Sequence, residues 1–509
     1  MKSMSEATCE IKSQALLDEF AEILAFVQNA FQEGGTAHEV ESGLWQRMLK
    51  LGRSVYQAWL DLFGDGDAGE RLVLEDGREV RRLVDLHRRE IRNVFGLFEL
   101  TRAVYGTREG QKIDAVPLDE RLQLPQGKNS YLLQDWDQEL VVDMPFDTVS
   151  TTLARILGFT QSVHTLERNQ REMATAVEDF WAEQPTPPVQ QEGEILVCTA
   201  DGKGVAMRGG AKAPKGVEPP STGERRTDTK KMALVGATYT VDPFIRTPEE
   251  VLDALFQDAS VGEPPPSRPR PCFKYVRAAL QRDDMDSTEP QVQAIFGWMA
   301  EQVAQRNPNG MNQVVLLMDG QESLWRAGWT YLPETLADVT EILDLLHALG
   351  YLWEAAHLFH PKSSDAARDF VKVQARRILH GEVAAVIHSL RWLGTHHKLQ
   401  GKRRDTLERV CGYFHNNVHR MAYDVYLEHG FPIASGVIEG ACRCVVKDRM
   451  ERSGMRWIMS GARAMLDMRC IYLSGLWEDF TAFRIQRESR RLYSGYAAND
   501  PDFSTPLAA

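Results

Sequence analysis

Apolar residues recur at helical spacing near the start of the chain and through most of its second half. In LLDEFAEILAFVQNAF they occupy positions 16, 17, 20, 23, 24 and 27, which form one broad stripe along a helix. A second helix is predicted over GLWQRMLKLGRSVYQAWLDLF, which ends at the GDGDAGE run. The same periodicity predicts an almost wholly helical stretch at 340–430 and a last helical block at about 435–487.

Between these regions the pattern changes to short apolar runs that predict strands. Two short strands are expected around 91–105. After a linker at 184–194, EILVCTADGKG gives an apolar run that is expected to end at Asp201, followed by a turn and a second short strand. MALVGATYTV and NQVVLLMDG predict two more strands, the latter ending at Asp319. The Gly-, Pro- and Lys/Arg-rich stretch 209–231 predicts a loop.

Residues 147–182 predict two helices separated by a short break, which suits a helix–turn–helix DNA reader. A pair of helices that only pack together is the equally weighted alternative. The side chains suited to DNA contact there are Thr151, Thr152, Gln161, Ser162, Arg168 and Arg171.

Composition describes an ordinary soluble globular protein, with 43% hydrophobic and 26% charged residues among 509. No run of about 18 apolar residues predicts a membrane span. The N-terminus lacks the apolar core of a signal peptide, so a cytoplasmic protein is expected. The seven cysteines form no CxxC pair, which argues against a disulfide framework or structural zinc.

The net charge of −13 is unevenly distributed, so it does not exclude a nucleic-acid partner. Residues 1–70 carry 12 acidic and 5 basic side chains, which accounts for more than half of the excess. The rest of the chain is closer to neutral and contains distinctly basic stretches.

Three carboxylates carry the candidate chemistry. Asp201 and Asp319 each follow an apolar strand and precede a glycine, a position that suits a ligand or metal, although a turn role is commoner for either alone. Glu439 is followed by Arg443 and Lys447 at four-residue spacing, which suits a metal ligand with phosphate-binding groups beyond it. An ion pair between Glu439 and Arg443 is the structural alternative.

The order strand-borne Asp, strand-borne Asp, helix-borne Glu is the ribonuclease H-like arrangement, here with spacings of 118 and 120 residues. The chain thereby resembles the DDE transposases of bacterial insertion sequences, and within them the ISKra-type subgroup, akin to Mutator-like transposases. The matching motifs, which span roughly 85–490, include TADGKGV at 199–205, KKMALVGA at 230–237, MDG at 318–320, DLLH at 344–347 and ERSGMRW at 451–457.

The resemblance implies that Asp201, Asp319 and Glu439 form a catalytic triad that holds Mg²⁺, for which Mn²⁺ can substitute. It implies auxiliary roles for Asp344 and His347, with a buried core histidine as the alternative for His347. Basic side chains near the motifs are expected to contact DNA phosphates: Lys203, Lys230, Lys231, Arg443, Lys447, Arg449, Arg452 and Arg456.

We therefore expect an α/β protein with a ribonuclease H-like catalytic core interrupted by an all-helical insertion, preceded by a mainly helical DNA-binding region. The expected divisions are an acidic helical segment (1–70), a DNA-binding leader (71–183), the first part of the core (195–345), the insertion (346–430), the rest of the core (431–490) and a tail (491–509).

The expected activity is Mg²⁺-dependent cleavage of double-stranded DNA at insertion-sequence ends and strand transfer into target DNA. A homodimer or larger assembly on DNA and a bacterial cytoplasmic location are implied, with no membrane partner. Two alternatives stay open: a ribonuclease H-like nuclease or resolvase that does not transpose, and a catalytically silent DNA-binding protein derived from a transposase.

Overall fold

A computed structural model describes residues 6–108, 110, 112–208, 230–256, 268–281, 289–332 and 339–493. The chain divides into two compact units, Met1–Ala176 with Trp477–Ala509, and Val177–Leu476. Nearly all of the predicted loop 209–231 and of the predicted tail 491–509 lies outside the described residues.

Helices are numbered in chain order. They are α1 Glu6–Gln32, α2 Ala37–Asp61, α3 Pro117–Arg121, α4 Tyr131–Asp143, α5 Phe146–Leu157, α6 Val163–Ala174, α7 Val177–Glu183, α8 Pro248–Phe256, α9 Glu289–Arg306, α10 Glu322–Tyr331, α11 Leu345–Phe359, α12 Asp365–Leu379, α13 Val383–His396, α14 Gly401–Asn417, α15 Tyr423–Glu428, α16 Gly436–Cys442, α17 Asp448–Met450, α18 Met459–Leu473 and α19 Trp477–Tyr493. A π-helical segment, Arg443–Lys447, joins α16 to α17.

Strands are β1 Arg71–Val73, β2 Glu79–Arg82, β3 His87–Asn93, β4 Gly96–Arg102, β5 Tyr105–Gly106, β6 Ile195–Ala206, β7 Lys230–Val241, β8 Cys272–Leu280, β9 Gln313–Met318 and β10 Val339–Leu343.

The first unit combines a helical hairpin with small antiparallel sheets. Thr36 begins α2 with a capping box, in which Thr36 and Glu39 each accept a hydrogen bond from the other's backbone N–H. The strands β1, β2 and β5 form one sheet, and β3 pairs with β4. This last hairpin lies where two short strands were predicted, starting a few residues earlier.

The region 147–182, predicted as two helices, forms three, because the second predicted helix is divided at Thr175 into α6 and α7. Gly158 ends α5 in the left-handed conformation, and Ser162 caps α6. Gln161 is fully buried, where it accepts a hydrogen bond from Asn129 and donates one to Asp137. Its predicted role as a DNA contact is therefore wrong, because a buried amide inside this network has no access to a duplex.

The second unit is built on a five-stranded mixed sheet with the order β8-β7-β6-β9-β10. Strands β6, β7 and β8 are antiparallel neighbours, whereas β9 and β10 run parallel to β6. The side chains of β6 up to Ala200 are buried on both faces, as expected of a strand covered by helices on each side. Gly236 lets α9 approach β7, because a Cβ there would meet the side chains of Ile295 and Met299.

The prediction that an apolar strand ends at Asp201 is wrong. Strand β6 continues to Ala206, because β7 pairs with it along its whole length from Val241 to Lys230. Asp201 therefore lies within the strand, and the two predicted short strands are one.

From α11 to α15 the chain is helical, as predicted for 340–430 from the apolar spacing. The start of that stretch was predicted wrongly, because Val339–Leu343 forms β10, which pairs with β9. Buried Arg420 ties these helices to β10: its guanidinium donates to Glu341 over 2.6 Å and lies 4.1 Å from the ring centre of Trp325. Within the described part of the chain, no helix is both long and apolar enough to cross a bilayer.

Candidate active site

Asp201 and Asp319 lie at the same level of two adjacent parallel strands. The pairing of β6 with β9 ends at Cys198 opposite Leu316, and each aspartate follows three residues later. From there the strands separate: β6 stays paired with β7 through Asp201 and Val235, while β9 ends. Two carboxylates therefore lie together where the sheet opens between its central strands.

The two carboxylates interact electrostatically. Burial raises the pKa of Asp201, and the negative charge of Asp319 raises it further. Hydrogen bonding and the charge of Lys203 act in the opposite direction, and the Gly202 N–H donates to Asp201 Oδ1 over 2.6 Å. Asp319 Oδ1 accepts from the Gln321 N–H over 3.0 Å. A cation between the aspartates would offset their repulsion.

The helix that carries Glu439 packs against the strand that carries Asp201. Cys442, at the end of α16, donates its thiol proton to the backbone carbonyl of Asp201 over 3.8 Å. Glu439 precedes Cys442 by three residues in the same helix. The described part of Glu439 is its backbone, which lies one helical turn from this contact.

The beginning of this helix is held by Asp344. Its buried carboxylate caps α11 by accepting from the Leu346 N–H over 2.9 Å. It also accepts from the N–H of Ser435 over 3.2 Å and from the Ser435 hydroxyl. The N–H of Asp344 donates to the carbonyl of Met318 over 2.8 Å, next to Asp319. Asp344 thus connects two of the elements that carry the predicted triad.

Trp457, the last residue of ERSGMRW, holds the chain that follows α16 and α17 against β6. Its N–H donates to the carbonyl of Ala206 over 3.0 Å, and its carbonyl accepts from the N–H of Arg208 over 2.8 Å. Its indole N–H donates to the carbonyl of Met450 over 3.1 Å. This segment occupies the edge of β6 that β9 leaves, which gives the motif a structural role.

An aromatic cluster lies beside Asp319. The Tyr413 hydroxyl donates to the carbonyl of Asp319 over 2.8 Å, and its ring stacks on Tyr351 at 3.8 Å between centroids. The exposed ring of His347 lies 6.4 Å from that of Tyr413. The alternative of a buried core histidine is therefore wrong.

Sequence reasoning missed the roles of Tyr413 and Ser435, because each acts through a contact with a residue about 90 positions away along the chain.

The predicted DNA-binding residues differ in their surroundings. Arg443, Lys447, Arg452 and Arg456 are exposed, and so is Lys230, whose ammonium lies 3.9 Å from a Glu451 carboxylate oxygen. Lys203 and Lys231 are half-buried.

Two of the predicted DNA-binding arginines contact other residues of this segment. Arg443 lies 3.5 Å from a carboxylate oxygen of Asp448. Arg449 is fully buried, with its guanidinium 3.5 Å from the Met455 sulfur and 5.3 Å from the Trp457 ring centre. In this structure Arg449 supports the fold and does not face DNA.

The donor set fits a hard divalent cation, because Asp201 and Asp319 offer carboxylate oxygens and the nearby Cys442 is buried and protonated. Burial raises the pKa of the Cys442 thiol well above its usual range. Among the side chains that the structure describes, no three His, Cys, Asp or Glu residues are grouped to hold a metal. Glu439, the third donor implied by the sequence, is not among the residues whose side chains are described.

No protein family matches the sequence, and no curated protein matches it. Among solved structures, the chain is similar to a Drosophila P element transposase strand transfer complex. The identity is 11%, and the match covers 73% of this chain and 88% of that one, with a TM-score of 0.25. A TM-score this low does not establish a shared fold.

Proposed function

We propose that this protein is a DDE-type DNA transposase, which cuts DNA at the ends of an insertion sequence and joins the exposed 3′-hydroxyl to target DNA. The observation that carries the proposal is the position of Asp201 and Asp319 on adjacent parallel strands, with the Glu439 helix hydrogen-bonded to the strand at Asp201. The motifs that resemble ISKra-type transposases supply the reaction class.

The sheet supports a ribonuclease H-like core for this enzyme. Three antiparallel strands are followed by two that run parallel to the first, and Asp201 and Asp319 lie on the first and after the fourth. In this proposal the helices between β10 and α16 are an insertion between the second aspartate and the glutamate.

In the proposed reaction, Asp201, Asp319 and Glu439 hold Mg²⁺ or Mn²⁺. Bound there, these ions would activate the attacking water or 3′-hydroxyl and stabilise the leaving oxygen. The chain's own part is positioning: Tyr413 fixes the backbone of Asp319, and Asp344 fixes the beginning of α16 through Ser435.

Exposed basic side chains favour DNA as the substrate. Arg443, Lys447, Arg452 and Arg456 follow Glu439 in the chain and are exposed, as cations that contact DNA phosphates must be. Exposed His347, next to the tyrosine pair beside Asp319, is placed to contact the DNA end.

The test is metal-dependent cleavage of duplex DNA that carries the ends of the element encoding this chain. We expect end-specific nicking by the wild type in Mg²⁺ or Mn²⁺, and its loss in Asp201→Asn and Glu439→Gln. Asp253→Asn, which removes an exposed carboxylate of α8, is the matched control and should cut normally.

The same assay separates the alternatives. Equal cutting of unrelated DNA would indicate a nuclease or resolvase. Salt-sensitive binding to the ends with no cleavage in either metal would indicate a silent DNA-binding protein. Normal cutting by Asp201→Asn would remove this site from the chemistry altogether.

A further inference from the structure

Helix α1 has two apolar stripes, and the residues that the structure describes cover only one of them. The covered stripe faces α2: the Phe26 ring lies 3.6 Å from the guanidinium of Arg47, and the Ser54 hydroxyl donates to Glu19 over 3.0 Å. A Cβ at Gly43 would collide with the Phe26 ring, so this glycine lets the two helices approach closely. The residues of the covered stripe are Leu16, Glu19, Ile23, Phe26 and Ala30.

The second stripe is exposed and keeps a strict heptad spacing. Its members are separated by three, four, three and four residues, which is the a/d pattern of a coiled-coil seam. The side chain of Phe31, at its end, is 88% exposed. The residues of this stripe are Leu17, Phe20, Leu24, Val27 and Phe31, all exposed.

Helix α2 carries exposed apolar residues on the same side of the hairpin, before and after Gly52, where the Phe95 ring packs against the helix. In both helices the exposed residues follow the covered ones by one position, as Leu24 follows Ile23 and Val55 follows Ser54. Because the two helices are antiparallel, equal offsets place both stripes on one side. The exposed residues of α2 and its C-cap on that side are Met48, Val55, Trp59 and Leu62. We call these two stripes together the hairpin face.

The charges around the hairpin face favour a second copy of the same helix, although residues 1–70 are acidic as a whole. The heptad positions that flank the seam hold only uncharged side chains: Ala21, Ile23, Gln28 and Ala30. The acidic Asp18 and Glu22 lie at outward positions of the heptad. Two copies can therefore meet along the seam without like charges opposing each other, whereas the surrounding acidic surface repels DNA.

The size of the hairpin face also matches a dimer interface. Its exposed apolar side chains amount to on the order of 800 Å² per copy, which is one partner's share of a standard protein–protein interface. Monomeric proteins rarely leave a contiguous apolar patch of that size in water.

We propose that the hairpin face is a self-association surface, on which α1 and α2 of two copies pack as a symmetric four-helix bundle. The same patch on each copy meets its counterpart, as a twofold interface requires. The dimer forms without DNA, and the proposal does not depend on the activity assigned to the second unit. In the bundle that places α1 antiparallel to α1 of the second copy, Leu24, the middle residue of its stripe, meets the same residue across the twofold axis.

The test is the molar mass of the full chain without DNA. It is measured by sedimentation and by light scattering at protein concentrations from about 1 to about 50 µM. We expect twice the chain mass of 57.5 kDa for the wild type. Leu24→Glu and Phe31→Glu should weaken association roughly a hundredfold or more, because each places a charge twice in the seam. Asn29→Glu adds the same charge to an exposed outward position of α1 and should stay dimeric.

A mixing experiment guards against misfolding as the cause. Equimolar Leu24→Glu and Leu24→Lys chains should form a mixed dimer, although each alone is monomeric, and both should keep the helical circular dichroism of the wild type. A monomeric wild type at the highest concentration would overturn the proposal, and so would a Leu24→Glu chain that stays dimeric. A monomer whose α1 amides are protected from exchange would show instead that the chain covers its own hairpin face.

Discussion

The carboxylate of Asp344 accepts hydrogen bonds from both the backbone N–H and the hydroxyl of Ser435, 91 residues further along the chain. Because Ser435 directly precedes α16, this pair fixes where the Glu439 helix begins. Because the N–H of Asp344 donates to the carbonyl of Met318, the same residue is tied to the strand end at Asp319. Asp344 is thus placed to hold two parts of the proposed metal site at a constant separation.

Removing the Ser435 hydroxyl should slow DNA cleavage more than it weakens DNA binding. In Ser435→Ala the helix loses one of its two bonds to Asp344, so we expect a cleavage rate about tenfold lower, because small shifts of catalytic groups are costly. The end-DNA dissociation constant should change by less than about twofold. Single-turnover cleavage and fluorescence anisotropy measure the two quantities. Ser435→Thr keeps a hydroxyl and should recover most of the rate, and equal losses in Ala and Thr variants would contradict this role.

Breaking a buried ion pair in the second unit should strongly destabilise the protein. Arg306 donates to Glu192 through Nε over 2.7 Å, and both side chains are almost fully buried. Arg306→Met leaves the Glu192 carboxylate buried without its cation, so we expect the free energy of unfolding to fall by about 3–5 kcal/mol. Urea unfolding followed by tryptophan fluorescence measures the change.

The matched control for this pair is an exposed one. Arg326 lies 3.4 Å from Glu322 on the surface of α10, so Arg326→Met should cost less than about 1 kcal/mol. The double variant Glu192→Leu with Arg306→Met removes both charges and should recover part of the loss. A cost for Arg306→Met as small as that for Arg326→Met would refute the role of the buried pair.

The first unit should lose stability as the pH rises from about 4 to about 7 because of Asp137. Burial raises the pKa of Asp137 from 3.8 to about 7, against the hydrogen bonds that Gln138, Gln161 and Asn169 donate to it. In that window the folded state retains a proton that the unfolded state has lost, so folding becomes less favourable by up to about 1.4 kcal/mol per pH unit.

The comparison that isolates this group is with Asp137→Asn, which cannot titrate. Hydrogen-exchange protection of the α4 and α6 amides gives the local free energy of opening for both proteins. We expect the wild type to lose stability relative to the variant as the pH rises between 5 and 7. A difference between the two that does not change with pH would mean that Asp137 titrates normally.

The elements with strong local patterns were predictable from the sequence. The apolar run before Asp319 formed a strand and the helical spacing from Leu345 onward formed helices, because each buries apolar side chains. Strand β10, inside the stretch 340–430 that was predicted to be helical, was missed because it depends on pairing with β9. The sequence did not predict that β6 continues beyond Asp201, since this continuation depends on its pairing with β7. Tyr413 carried no local signal, because its partner Asp319 lies 94 residues away. Ser435 was predictable only as the possible start of a helix, and its bond to Asp344 was not.

The apolar stripe of α1 shows the same limit. Its sequence pattern combines Ile23 and Leu24 in one broad face, and only the position of α2 separates the covered residue from the exposed one. The sequence alone therefore did not distinguish the exposed heptad from the apolar face of an ordinary amphipathic helix.

The most direct measurement is cleavage of end-carrying DNA by the wild type and by Asp319→Asn, in Mg²⁺, in Mn²⁺ and in a chelator. The variant keeps the shape of the side chain and removes the charge that acts together with Asp201. We expect end-specific cleavage by the wild type in either metal, none in the chelator, and a loss of at least about a thousandfold in Asp319→Asn. Cleavage by Asp319→Asn at the wild-type rate, or equal cleavage in the chelator, would contradict the proposed site.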